Sequence, residues 1–93
     1  MNDEILEVIN ECNKRAFDLS HNGFHVTVVN QRCGYLHIRV WYQDAEPVQF
    51  NNPFGITRNF VGSTEIPFDY LDFKVIARKT MDSIEDAIKQ RLG

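Results

Sequence analysis

The sequence is poor in the residues that build small chemical scaffolds. It has two cysteines, Cys12 and Cys33, among 93 residues, whereas small secreted domains are cysteine-dense. No C-x-x-C pair occurs, so the usual signature of a thiolate zinc site is missing. Five glycines and three prolines are too few for a collagen-like or low-complexity chain. No G-x-G or G-K-[ST] run is present to cradle a phosphate. No apolar stretch approaches the roughly 18 residues that suggest a membrane span. Basic residues do not predominate, with 10 Lys and Arg against 13 Asp and Glu and a net charge of −3, so no broad surface for a polyanion is offered. The opening Met1-Asn2-Asp3-Glu4 is acidic and lacks the basic region of a secretory signal. With two thiols and no such signal, the expectation is a cytoplasmic protein without metal, cofactor or membrane partner.

What remains is ordinary globular material: 43% hydrophobic and 25% charged residues, with seven Phe, three Tyr and one Trp. Each aromatic can bury about 150–250 Å², which suffices for one core. The expectation is a single domain over residues 1–93.

Residues 3–20 read as a helix, because Ile5, Ile9, Cys12, Ala16 and Leu19 recur at helical spacing. Asp3, Glu4 and Glu7 suit its N-terminus, and Gly23 is the candidate left-handed stop. Residues 24–30 and 35–43 read as a hairpin linked by 31–34, with Gly34 supplying a positive φ. Pairing Val28 with Leu36, Val26 with Ile38 and Phe24 with Val40 gathers these apolar side chains on one face. A third strand is expected at 47–51, a brief edge strand at 56–61 and loop at 62–67. Residues 68–79 read both ways. Leu71, Phe73, Val75 and Ala77 alternate as in a strand, yet Tyr70, Phe73, Ile76, Ala77 and Met81 make a helical stripe. A single long helix would leave Phe68, Leu71 and Val75 on a side needing its own cover. The expected architecture is therefore strand followed by helix. Asp82-Ser83-Ile84-Glu85 resembles a capping box opening a helix over 83–92. The fold class is α+β: an N-terminal helix, an antiparallel sheet of three to five strands, and a C-terminal helix packed on one sheet face.

The outward side of the second hairpin strand carries Tyr35, His37, Arg39 and Trp41. Tyr, Trp and Arg are the residue types most enriched in binding hot spots. Two helices cannot readily cover this face and bury the Val/Ile/Leu face as well. These four residues are the candidate partner-binding set, for another protein or for a second copy of the chain. An Arg beside aromatics can also stack unpaired bases, so a single-stranded nucleic acid is the second reading. The order helix, three strands, helix is similar to that of double-stranded-RNA-binding domains in topology alone. Such domains need lysines opening the last helix, and Thr80-Met81-Asp82-Ser83 stand before Ile84 here, so nucleic acid is disfavoured. A Cys33–His37 thiol–imidazole pair is a third reading, as a small enzyme. Asp69 and Asp72, three apart, read as a solvated helical face.

Overall fold

The computed structural model describes residues 3–31, 34–43, 45–51, 53 and 59–93. The chain begins with helix α1, Asp3–Leu19, which buries Val8, Ile9, Cys12 and Ala16. The helical stripe of the sequence thus becomes its inner face. Asn22 at φ 54° and Gly23 at φ 88° turn the chain out of the helix.

Strands β1, Phe24–Gln31, and β2, Tyr35–Tyr42, form the expected antiparallel hairpin. The register differs from the expected one by two residues. Phe24 faces Tyr42, Val26 faces Val40 and Val28 faces Ile38. A slip of two leaves every side chain on its own face, so burial selects the face but not the register. The link decides it: Gln31 pairs with Tyr35, leaving residues 32–34 as the connection, with Gly34 at φ 93°. A three-residue hairpin loop of this kind wants a left-handed glycine at its end.

The expected third strand over 47–51 is two shorter pieces in different sheets. Strand β3, Glu46–Pro47, pairs with β2, and strand β4, Gln49–Phe50, pairs with strand β5, Phe60–Val61. Of the expected edge strand at 56–61, Phe60 and Val61 form β5; residues 54–58, including Phe54 and Ile56, lie outside the described residues. Residues 62–67, expected as loop, hold strand β6, Ser63–Pro67, which runs antiparallel to β2 from Tyr35 to Arg39. Its pattern is legible in retrospect, since Thr64 and Ile66 are buried while Ser63 and Glu65 are exposed.

These pieces meet at one backbone junction. The Val40 amide donates to the Gly62 carbonyl at 2.8 Å, the Gly62 amide to the Val48 carbonyl at 2.9 Å, and the Val48 amide to the Val40 carbonyl at 3.1 Å. Gly62 has φ 78°, and a Cβ there would stand 2.6 Å from Pro47 Cβ. Glycine alone fits the left-handed backbone and the close approach together.

Helix α2, Phe73–Leu92, is one continuous helix, which corrects the expected strand at 68–79. The cover that seemed necessary is absent: Leu71 is 96% exposed and Val75 is 48% exposed. Phe68 instead packs on Phe73, with ring centroids 5.5 Å apart. The Asp82-Ser83-Ile84-Glu85 box lies in mid-helix and starts nothing. Asp72 stands at the N-cap without a side-chain capping bond.

Both helices lie against the same sheet face, α1 on β1 and α2 on β4 and β6, and they contact each other. Their seam carries ion pairs of Lys74 with Glu4 (3.0 Å), Arg78 with Glu11 (3.0 Å) and Arg15 with Asp82 (2.9 Å). The partners ascend together in both helices, so α1 and α2 run parallel. Between helices and sheet lies one core in which Leu36, Ile38, Val40 and Ile66 meet Ala77, Met81 and Ile84, all fully buried.

Ile38→Ala should cost about 2–5 kcal/mol, as a deletion at a fully buried site. Gly62→Ala should cost about 1–3 kcal/mol through the left-handed φ, with displacement of Pro47 adding to it. Urea unfolding of each variant checks both. A loss within error of zero at position 62 would show that the junction tolerates a side chain.

Candidate functional site

Residues paired across a sheet point to the same face, so the register assembles the surface opposite the helices. Along β2 that face carries Tyr35, His37, Arg39 and Trp41. On the β1 side His25 stands beside Trp41, Thr27 beside Arg39 and Val29 beside His37. On the other side Pro47 stands beside Trp41, Ser63 beside Arg39, Glu65 beside His37 and Pro67 beside Tyr35. The burial of β2 alternates accordingly. Leu36, Ile38 and Val40 are buried, Tyr35 and Arg39 are exposed, and His37 and Trp41 are half-buried.

The structure therefore brings all four candidate residues to one face, and the indole is not sealed inside. The Arg39 guanidinium lies 5.2 Å from the centre of the Trp41 ring, within range of a cation–π contact. His25, Thr27, Arg39 and Trp41 line a shallow depression of about 310 Å³. The His37 Nδ1 lies 3.5 Å from the Glu65 carboxylate. Pro47, Ser63, Glu65 and Pro67 belong to this face and were missed from sequence, because the strand that carries most of them read as loop.

Several strong cations among the described residues are paired away from this face. Because α2 starts at Phe73, the residues that would meet phosphates at its opening are Lys74, Arg78 and Lys79 rather than those before Ile84. Lys74 is held by Glu4, and Arg78 grips Glu11 through two bonds of 3.0 Å each. That grip holds the Glu11 carboxyl below its ordinary range and the Arg78 guanidinium above its own. On the sheet face Arg39 is the one Lys or Arg among the residues named, and Glu65, opposite His37, is the one carboxylate among them.

Other chemistry fares as follows. Cys33 lies outside the described residues, so the Cys33–His37 pair has no geometry to support it. Cys12 is buried in the core, and burial pushes its thiol up to about 11. His21 and His25, four apart, are separated by the left-handed turn at Asn22 and Gly23, and the Asn22 side-chain amide sits 2.8 Å from His21 Nδ1. His25 stands opposite Trp41 and His37 opposite Val29, so these two imidazoles are not neighbours. Among the described residues no three His, Cys, Asp or Glu side chains converge to hold a metal ion. Asp69 and Asp72 precede α2 instead of sharing a helical face, and they line a groove of about 410 Å³ with Glu4, Ile5, Phe68 and Leu71. No helix among the described residues is long and apolar enough to cross a membrane. Comparison of the chain with protein-family models, with curated proteins and with solved structures gives no match.

One prediction follows for Cys12. A thiol moved from 9.0 to about 11 has a thiolate fraction at pH 8 roughly 100-fold lower, and only the thiolate reacts. In a Cys33→Ser chain, alkylation by iodoacetamide at pH 8 should be at least about that much slower folded than in urea. The folded state holds the proton that the unfolded state loses, so stability should fall as pH rises from about 9 toward 11. Equal alkylation rates in the two states would contradict the burial.

Proposed function

We propose that the chain is a protein-interaction module, not an enzyme, and that it binds a partner protein through the sheet face of Tyr35, His37, Arg39 and Trp41. The single observation that carries this reading is the Arg39–Trp41 pair, half-exposed on a face opposite both helices. A half-buried indole keeps a large apolar area available while its neighbours hold it in place. Such pre-set aromatic and Arg side chains are the ones that dominate binding energies.

The chemistry of the face defines the partner. The depression beside Trp41 takes one apolar side chain, and Arg39 takes a carboxylate at its rim. The tyrosine at one end and the flanking prolines extend the contact. With two cysteines among 93 residues, a reducing cytoplasmic setting fits this role.

Single-stranded nucleic acid is the weaker reading. Affinity for phosphates comes from several Lys or Arg side chains acting together. The face offers Arg39, and two of the three cations at the start of α2, Lys74 and Arg78, are held by α1 carboxylates.

The two readings separate on salt. Immobilised chain should retain a partner protein from an extract of its source cell, and retention should persist between about 50 and 200 mM salt. Trp41→Ala should weaken that retention by about 30-fold, the loss expected of a hot-spot residue. Arg39→Glu should weaken it less and leave the salt response flat. If instead a mixed-sequence single-stranded oligonucleotide binds, and its affinity falls steeply over the same salt range, the nucleic-acid reading replaces this one. Retention indifferent to Trp41→Ala would remove the face from the function.

A further inference from the structure

A second surface lies at right angles to that face. β1 is the outermost strand of its sheet, and no described strand pairs with its far side. The Val26 amide and carbonyl point to that far side; the amide donates to the Ser20 hydroxyl at 2.9 Å, and that hydroxyl's single proton is shared between the Ala16 carbonyl at 2.7 Å and the Val26 carbonyl at 3.1 Å. The Phe24 amide also points outward and donates to the His21 carbonyl at 3.0 Å. The pairing of β1 with β2 is continuous, so outward groups recur at every second residue. The amides and carbonyls of Val28 and Asn30 therefore face away from β2. Among the described residues the edge is closed up to Val26, and none pairs with the outward groups beyond it.

Helix α1 carries a matching feature on the same side. Glu4, Glu11 and Arg15 face α2 through their ion pairs. At about 100° per residue, the flank turned away from α2, past β1, carries Leu6, Asn10, Asn13 and Phe17. Leu6 is 47% exposed and Phe17 is 82% exposed. Exposed Leu and Phe on the flank beside an open strand edge make an association surface.

We infer that a second copy of this chain docks here, β1 against β1 in antiparallel pairing and α1 against α1, about one two-fold axis. The choice of occupant rests on self-complementarity, the requirement of an isologous contact. On the sheet, an axis at Val29 lets Val28 of each copy exchange both hydrogen bonds with Asn30 of the other. The Ser20 closure of Val26 is left intact. The two Val29 side chains then meet, their Cα atoms about 4.5 Å apart, and Val29 is 45% exposed in the free chain. On the helices, an axis between residues 11 and 12 sets Leu6 against Phe17 and Asn10 against Asn13.

The two axes fall within about one residue of the same level along β1. Ser20 stands level with Val26, because it bonds to it. The helix point between residues 11 and 12 lies about 13 Å back along α1. That is three to four strand residues, at about 3.3 Å each, beyond Val26, at Val29 or Asn30. Sheet and helix features thus ask for axes at nearly the same level. This assembly does not depend on the sheet-face reading above, and it would join two copies of that face into one wider surface.

The test is the solution mass of the full chain by sedimentation equilibrium across a dilution series. The expected mass is twice that of the chain. Val29→Lys and Val29→Glu, at an exposed position that leaves the core alone, should each raise the dimer dissociation constant about 100-fold or more. Mixed one to one, they should restore the dimer, because the axis puts the two side chains face to face. Phe17→Glu should also dissociate it. Circular dichroism confirms that each variant stays folded. A monomeric wild-type chain overturns the inference, as does a dimer indifferent to Val29→Lys or a charge-reversed mixture that stays monomeric. A dimer dissolved by Trp41→Ala but not by Val29→Lys would place self-association on the sheet face instead, leaving that reading standing and this one not.

Discussion

The structure depends on the backbone junction of Val40, Val48 and Gly62. Their three hydrogen bonds, from 2.8 to 3.1 Å, seat two separate segments along the same edge of β2. Without it β6 would have no fixed register, and the buried pair Thr64 and Ile66 would lose their place in the core. The junction works because Gly62 has no side chain at a point where a Cβ would stand 2.6 Å from Pro47. It lets the short strands that flank it pair with different partners, β3 with β2 and β4 with β5. The ring contact of Phe50 and Phe60, centroids 5.5 Å apart, braces the smaller sheet.

With the sheet completed on that edge, the helices have one side to occupy. All the buried strand residues face them, and the ion pairs along the α1–α2 seam align the two helices in parallel. These pairs are exposed, so each adds little stability. Their larger consequence is distribution of charge. They use Arg15, Lys74 and Arg78 on the helix side, while Arg39 stands on the sheet face. The candidate site is in this sense a remainder, the surface left once the core has been satisfied.

Much of that site was legible. The alternation of Leu36, Ile38 and Val40 with Tyr35, His37, Arg39 and Trp41 needs only the two-residue period of a strand, and the structure keeps both faces as read. The flanking Pro47, Ser63, Glu65 and Pro67 were not legible. Ser63-Thr64-Glu65-Ile66 is short, polar and bounded by glycine and proline, and it becomes a strand only because β2 offers it an edge. The same holds for α2. Leu71 and Val75 looked like residues in need of cover, and a strand seemed to supply it. A chain tolerates such residues in water when Phe73, Ile76, Ala77 and Met81 gain enough by packing together.

The sequence by itself therefore determined what is periodic: the inner stripe of α1, the two faces of the hairpin, and the left-handed glycines at positions 23 and 34. These follow from steric and hydrophobic preferences acting within a few residues. Tertiary structure decided what requires a distant partner. It set the hairpin register two residues from the one the apolar pattern suggested, since faces are unchanged by a shift of two. It made residues 63–67 a strand by giving their amides and carbonyls an edge to pair with. It also extended α2 back to Phe73, because a helix is chosen by the whole surface it buries and not by its first turn alone.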